Sequence, residues 1–130
     1  SGGIYSMCWC PFGAPCQSAD NFQVDAGNLT IIGPHIEQHK TCTSSQVCTF
    51  DGYEGQSLSN HDRLLLLDTC GTEYKVLRMP NDAQSTAVQG IGNSVSVSWG
   101  PLRASAAGGA YRMCWCAAAF PCTSFQDFIV

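Results

Sequence analysis

The sequence predicts an all-β fold: a disulfide-rich antiparallel β-sandwich, immunoglobulin-like in the loose architectural sense, with a small barrel as the second choice. Three observations predict it. Alternation of apolar and polar residues with period 2 dominates, and no segment sustains the 3.6-residue period of a helix. Gly and Pro punctuate short apolar runs at regular intervals. Nine cysteines in 130 residues approach the density of an extracellular chain built on disulfides.

The clearest strand is residues 94–99, Ser-Val-Ser-Val-Ser-Trp, which puts Val95, Val97 and Trp99 on one face and three serines on the other. Residues 63–68, Arg-Leu-Leu-Leu-Leu-Asp, form a continuous apolar run of strand length, the pattern of a central strand buried on both faces. Residues 28–33 and 74–79 and two Cys-Trp-Cys segments add further strands, seven or eight in all. Turns are expected at residues 25–27, 33–34, 51–52, 70–71, 80–81 and 100–101, where Gly, Pro, Asn and Asp gather. The small residues 104–109 are expected to be a hairpin loop joining the 94–99 strand to the strand at 111–116.

The chain also contains an internal repeat. Residues 1–24 and 107–130 align without gaps at an offset of 106 positions, and 12 of the 24 aligned residues are identical, against about one or two by chance on ordinary residue frequencies. Tyr5, Met7, Cys8, Trp9, Cys10, Cys16, Phe22 and Val24 reappear as Tyr111, Met113, Cys114, Trp115, Cys116, Cys122, Phe128 and Val130. One complete period plus the first quarter of another suggests a module made to be joined end to end. Residues 1–24 are accordingly assigned as a junction strand, and residues 25–130 as the sandwich ending in the second segment.

Three cysteine pairs share one short spacing: Cys10 with Cys16, Cys42 with Cys48, and Cys116 with Cys122, each able to close a local loop. Cys8, Cys70 and Cys114 are left over. Cys8 and Cys114 are repeat equivalents, so they compete for Cys70. Pairing Cys70 with Cys114 is preferred because that strand would finish the sheet, which leaves Cys8 either a buried free thiol or available to another molecule. Alternation places Tyr5, Met7 and Trp9, and likewise Tyr111, Met113 and Trp115, on one face. That aromatic face is expected to be core in the strand that stays in its own domain, and an assembly surface in the other. The cysteines are expected on the more polar face.

Composition narrows the function. Net charge is -4 with only 12% charged residues, so no basic face is available to displace counterions from nucleic acid. No run of 18 or more apolar residues exists, and the best candidate, residues 64–67, is far too short to span a bilayer. His35, Glu37 and His39 lack the helical context that would bring them to one metal, and the separate Asp residues suit turns better than a calcium loop, so no cofactor or metal is expected. His61 and Asp62 beside abundant Ser are read as coincidence, without a nucleophile elbow, and no enzyme is expected. Asn28-Leu29-Thr30 is an N-glycosylation sequon, with Asn28 turned away from Leu29 and Ile31.

The motifs Tyr-x-Met-Cys-Trp-Cys, Asp68-Thr-Cys-Gly71 and Val97-Ser-Trp-Gly100 resemble the Cys-Trp-Cys repeats of very large extracellular proteins of microbial eukaryotes such as dinoflagellates and stramenopiles. The resemblance covers nearly the whole chain, although Met7 and Met113 stand where Leu is more usual. It implies a secreted or surface-exposed, tandem, disulfide-rich architecture. Two functions are therefore carried forward: a structural module of an extracellular fibre or tandem-repeat surface protein, assembling head to tail with copies of itself, and an extracellular module that binds a glycan or a protein.

Overall fold

A computed structural model describes all residues, Ser1–Val130. The chain is all-β, with eight strands in antiparallel pairs and three single-turn 3-10 segments. The strands are β1 (Gly3–Trp9), β2 (Val24–Ile31), β3 (Gly33–Pro34), β4 (Val47–Leu58), β5 (Arg63–Leu67), β6 (Ala87–Gln89), β7 (Gly92–Arg103) and β8 (Arg112–Cys116). They form a four-stranded sheet in the order β3-β4-β7-β6, a two-stranded sheet β5-β8, and a separate hairpin β1-β2.

The core lies between the four-stranded sheet and β5-β8. Val95, Val97 and Trp99 project from β7 on the face that alternation assigns them, with Tyr53 and Leu58 from β4 beside them. Leu64, Leu65 and Leu67 oppose them from β5, together with Cys114 and Cys116 of β8. The Trp99 indole N–H donates to the Ala83 carbonyl at 2.8 Å, so this large buried side chain leaves no polar atom unpaired. Four strands over two is fewer than the four over three of an immunoglobulin constant domain.

Several local expectations are corrected. The turn signals at residues 25–27, 51–52 and 100–101 lie inside long strands, β2, β4 and β7. Gly27, Gly52 and Gly100 take φ of 106°, 66° and 90° there. The β4 ladder shifts register between Phe50 and Tyr53, and the β1-β2 ladder between Ser6 and Cys8. A glycine at positive φ supplies a bulge as readily as a chain reversal, and bulges bend a strand without ending it. This is why β4, the longest element together with β7, was not expected as one strand.

Residues 74–79 are not a strand. They touch β5 through one bridge, Leu67 to Lys75, and through Val76 N–H donating to the Leu66 carbonyl. Arg78 at φ 61° and Pro80 then turn the chain away. Residues 104–109 are not a hairpin loop either, because β7 pairs with β4 and β6 while β8 pairs with β5. This connection crosses from one sheet to the other.

The strands β1 and β2, from Gly3 to Ile31, form a two-stranded sheet of their own, and β2 finds its strand partner only in β1. This sheet is anchored at its base. Gly2 N–H donates to the Pro34 carbonyl at 2.9 Å. A Cβ on Gly2 would sit 1.9 Å from the Gly33 carbonyl oxygen, so only glycine permits this approach.

Candidate functional site: one segment in two environments

The two repeated segments share one local structure. In each, the tyrosine hydroxyl donates to a carbonyl four residues back: Tyr5 to Ser1 at 3.0 Å, Tyr111 to Ala107 at 2.8 Å. In each, a disulfide closes the following loop, Cys10–Cys16 and Cys116–Cys122. A 3-10 turn follows at equivalent positions, Ala19–Asn21 and Phe125–Asp127, entered from extended Ser18 and Ser124. Trp9 is registered with Val24, and correspondingly Trp115 N–H donates to the Val130 carbonyl.

Their surroundings are opposite. The carboxy-terminal segment lies in a built slot. β8 runs antiparallel to β5 with Leu64 opposite Trp115, Leu65 opposite Cys114 and Leu66 opposite Met113, and Cys114 is bonded to Cys70. Asp62, itself buried, accepts from Ser59 N–H through Oδ2 and from Ala118 N–H through Oδ1, both at 2.9 Å. Gly71 N–H donates to the Phe128 carbonyl at 3.0 Å, and the Gln84 amide reaches the Cys122 carbonyl at 3.4 Å. Phe128 is 1% exposed and Trp115 8%.

The amino-terminal segment has none of this cover. Phe22 is 40% exposed, Trp9 51%, and Cys8 is a free, exposed thiol. Across the hairpin Tyr5 faces Leu29 and Trp9 faces Val24, so alternation makes one face largely apolar, with Tyr5, Met7, Trp9, Val24, Leu29 and Ile31 all exposed. The opposite face carries Ser6, Cys8, Asp25 and Asn28. Asn28 is exposed and stands opposite Ser6, open to a glycan.

One expectation about the faces is corrected. In β8 the cysteine face is the more deeply buried one, with Cys114 and Cys116 at 0–1% exposure, while Met113 and Tyr111 are only partly covered. Cys114 and Cys116 lie in the core, where they are bonded to Cys70 and Cys122. In β1 neither face is covered. Trp115 packs against Gly33, where an added Cβ would come within 3.3 Å of its ring, and its indole Nε1 is buried without a partner.

Cys42 and Cys48 are also bonded, closing the loop that enters β4. With four disulfides and nine cysteines, one thiol per chain remains. Thiol-reagent titration of the native chain is therefore expected to label one site, Cys8, and denaturation to add none; a second thiol appearing on denaturation would contradict this pairing.

Other candidate residues stay apart. His35, Glu37 and His39 are exposed around the positive-φ residue Glu37, and no group of three His, Cys, Asp or Glu side chains is close enough to share a metal ion. Asp62 closes the turn from Ser59, as expected of a turn carboxylate, and its second oxygen also tethers the seated segment at Ala118. It is 56 residues from Ala118, so no local pattern announced the contact.

Burial, reinforced by the negative charge of Asp62, pushes the Tyr53 phenol above its ordinary value of 10.0. The folded state thus keeps this proton after the unfolded chain has lost it. The associated stability is intact below about pH 10 and declines as pH rises beyond that value. In an alkaline absorbance titration, one of the four tyrosines should ionise only as the chain unfolds, and Tyr53→Phe should remove that late step. Four tyrosines titrating together near pH 10 would contradict it.

Comparison with protein-family models, curated proteins and solved structures finds no match to this chain. No helix is long and apolar enough to cross a membrane. Four disulfides in a small domain indicate an oxidising environment.

Proposed function

We propose that this chain is a structural, non-enzymatic module of an extracellular fibre or tandem-repeat surface protein, secreted or displayed at the cell surface and joined head to tail with copies of itself through its repeated terminal segments. The observation that carries this reading is the contrast between two segments of one local structure, one seated in a slot and the other bare. An exposed amphipathic hairpin with an unpaired strand edge is a liability that soluble monomers avoid. Its natural use is to be covered by another module. Electron microscopy of chains containing several periods is expected to show stiff rods or filaments, with a repeat of roughly 30 to 45 Å set by ordinary strand lengths. Flexible beads without a fixed spacing would count against it.

A second reading has its own support. A groove of about 390 Å³, within the usual range for ligand sites, is lined by Lys40, Phe50, Trp99, Ala106, Tyr111 and Met113 among others. The Lys40 ammonium lies 5.8 Å from the centre of the Phe50 ring. This would suit a glycan- or protein-binding module, and binding on a glycan array that is lost in Tyr111→Ala would favour it.

A further inference from the structure

We infer that, in a chain of repeated 106-residue periods, residues 1–24 of one period take the place that residues 107–130 hold here: they fill the slot beside β5 of the preceding period, and Cys8 is bonded to that period's Cys70, which has no Cys114 of its own to pair with. The inference rests on the end-to-end reading above and specifies its contact.

The argument begins with which residues the slot selects. Five residues of the carboxy-terminal segment's strand and loop are buried: Cys114, Trp115, Cys116, Cys122 and Phe128. All five are identical in the amino-terminal segment, as Cys8, Trp9, Cys10, Cys16 and Phe22. Every difference between the segments falls at a position that is exposed or half-buried in the seated copy, such as Arg112 against Ser6, Ala118 against Phe12 and Ile129 against Gln23. The amino-terminal segment therefore presents the complete set of side chains that the slot encloses.

The polar contacts lead to the same partner. Asp62, Gly71 and Gln84 all engage backbone atoms of the seated segment, at Ala118, Phe128 and Cys122. Backbone contacts do not depend on side-chain identity. The neighbour's Asp62 can receive the Phe12 N–H in the same way, and its Gly71 can donate to the Phe22 carbonyl. Because the local structures match, the register transfers too: the neighbour's Leu64, Leu65 and Leu66 lie opposite Trp9, Cys8 and Met7.

The two edges of the repeated strand complete the geometry. β1 is paired with β2 on one edge and has no strand on the other. β8 has β5 on one edge, while its other edge begins the β2-type pairing through Trp115 and Val130. Each segment thus shows one of two strand neighbours. Placed together they give a single strand shared between modules, flanked by β5 of one and β2 of the next. Asn28 stays outside this junction, because Ser6 across from it corresponds to Arg112, which is exposed in the seated segment.

The test is a chain of two periods, residues 1–106 joined to a full 130-residue chain, oxidised and mapped by peptide mass spectrometry. One reactive thiol is expected, Cys8 of the first period, with a linked peptide joining Cys70 of the first period to Cys8 of the second. Three reactive thiols, or Cys8 of the second period joined to any other cysteine, would overturn the inference. Small-angle scattering on the same sample separates the two readings. A stiff two-module rod without the Cys8–Cys70 link removes this junction but leaves the structural reading, whereas two modules on a flexible connection remove both. Should the two-period chain fail to fold, the 130-residue chain carrying the sequence of residues 1–24 at positions 107–130 decides. It should keep the bond between positions 70 and 114 and melt within a few degrees of the parent; loss of that bond overturns the inference.

Discussion

Replacing Phe128 by alanine is expected to destabilise the isolated chain by about 3–5 kcal/mol, the usual cost of emptying a buried aromatic site. Replacing Phe22, its repeat counterpart, should cost less than about 1 kcal/mol, as for most exposed positions. The two residues share type, local backbone and preceding 3-10 turn. They differ in cover, at 1% against 40% exposure. Urea unfolding of the two variants isolates the contribution of the slot from that of the segment. Equal losses would mean that Phe22 is as well covered in solution as Phe128.

Removing the Cys70–Cys114 bond by a double alanine substitution is the second large effect. The bond spans a sequence separation of 44 residues, and the loop-closure entropy that it removes from the unfolded chain corresponds to about 4 kcal/mol. The three local disulfides span six residues each and should contribute only about 2 kcal/mol apiece on the same basis. Equilibrium unfolding of the double variant should therefore show roughly twice the loss found for a Cys42→Ala, Cys48→Ala pair. A loss no larger than that of the short loop would indicate that the unfolded chain is already constrained near residues 70 and 114.

Parts of this structure were legible because they are local. Strict alternation in residues 94–99 specifies which side of β7 enters the core, and Val95, Val97 and Trp99 are all buried. The four leucines of residues 64–67 mark a strand buried on both faces, and Leu64 and Leu65, which alternate onto opposite faces, are both buried, although β5 has a strand partner, β8, on one edge only. Glycine was legible as a residue but not as a geometry. Positive φ at Gly52 serves equally well in a turn and in a bulge, and only the pairing of β4 with β7 on both sides of it decides between them. The expected strand at residues 74–79 failed for a related reason. Its apolar residues Val76 and Met79 are buried, but they pack from an irregular segment that Arg78 and Pro80 prevent from running straight.

The sequence alone marks an all-β, disulfide-rich chain in which residues 1–24 and 107–130 repeat one segment. Repetition, alternation and cysteine spacing are properties of neighbouring residues and survive without a fold. Only the tertiary structure decided which segment is enclosed and by what, because the slot is made by Asp62, Leu64, Leu65, Cys70, Gly71 and Gln84 meeting residues that lie 38 to 57 positions away. One strand sequence can be core at one end of the chain and surface at the other, since burial depends on the chain that packs against it.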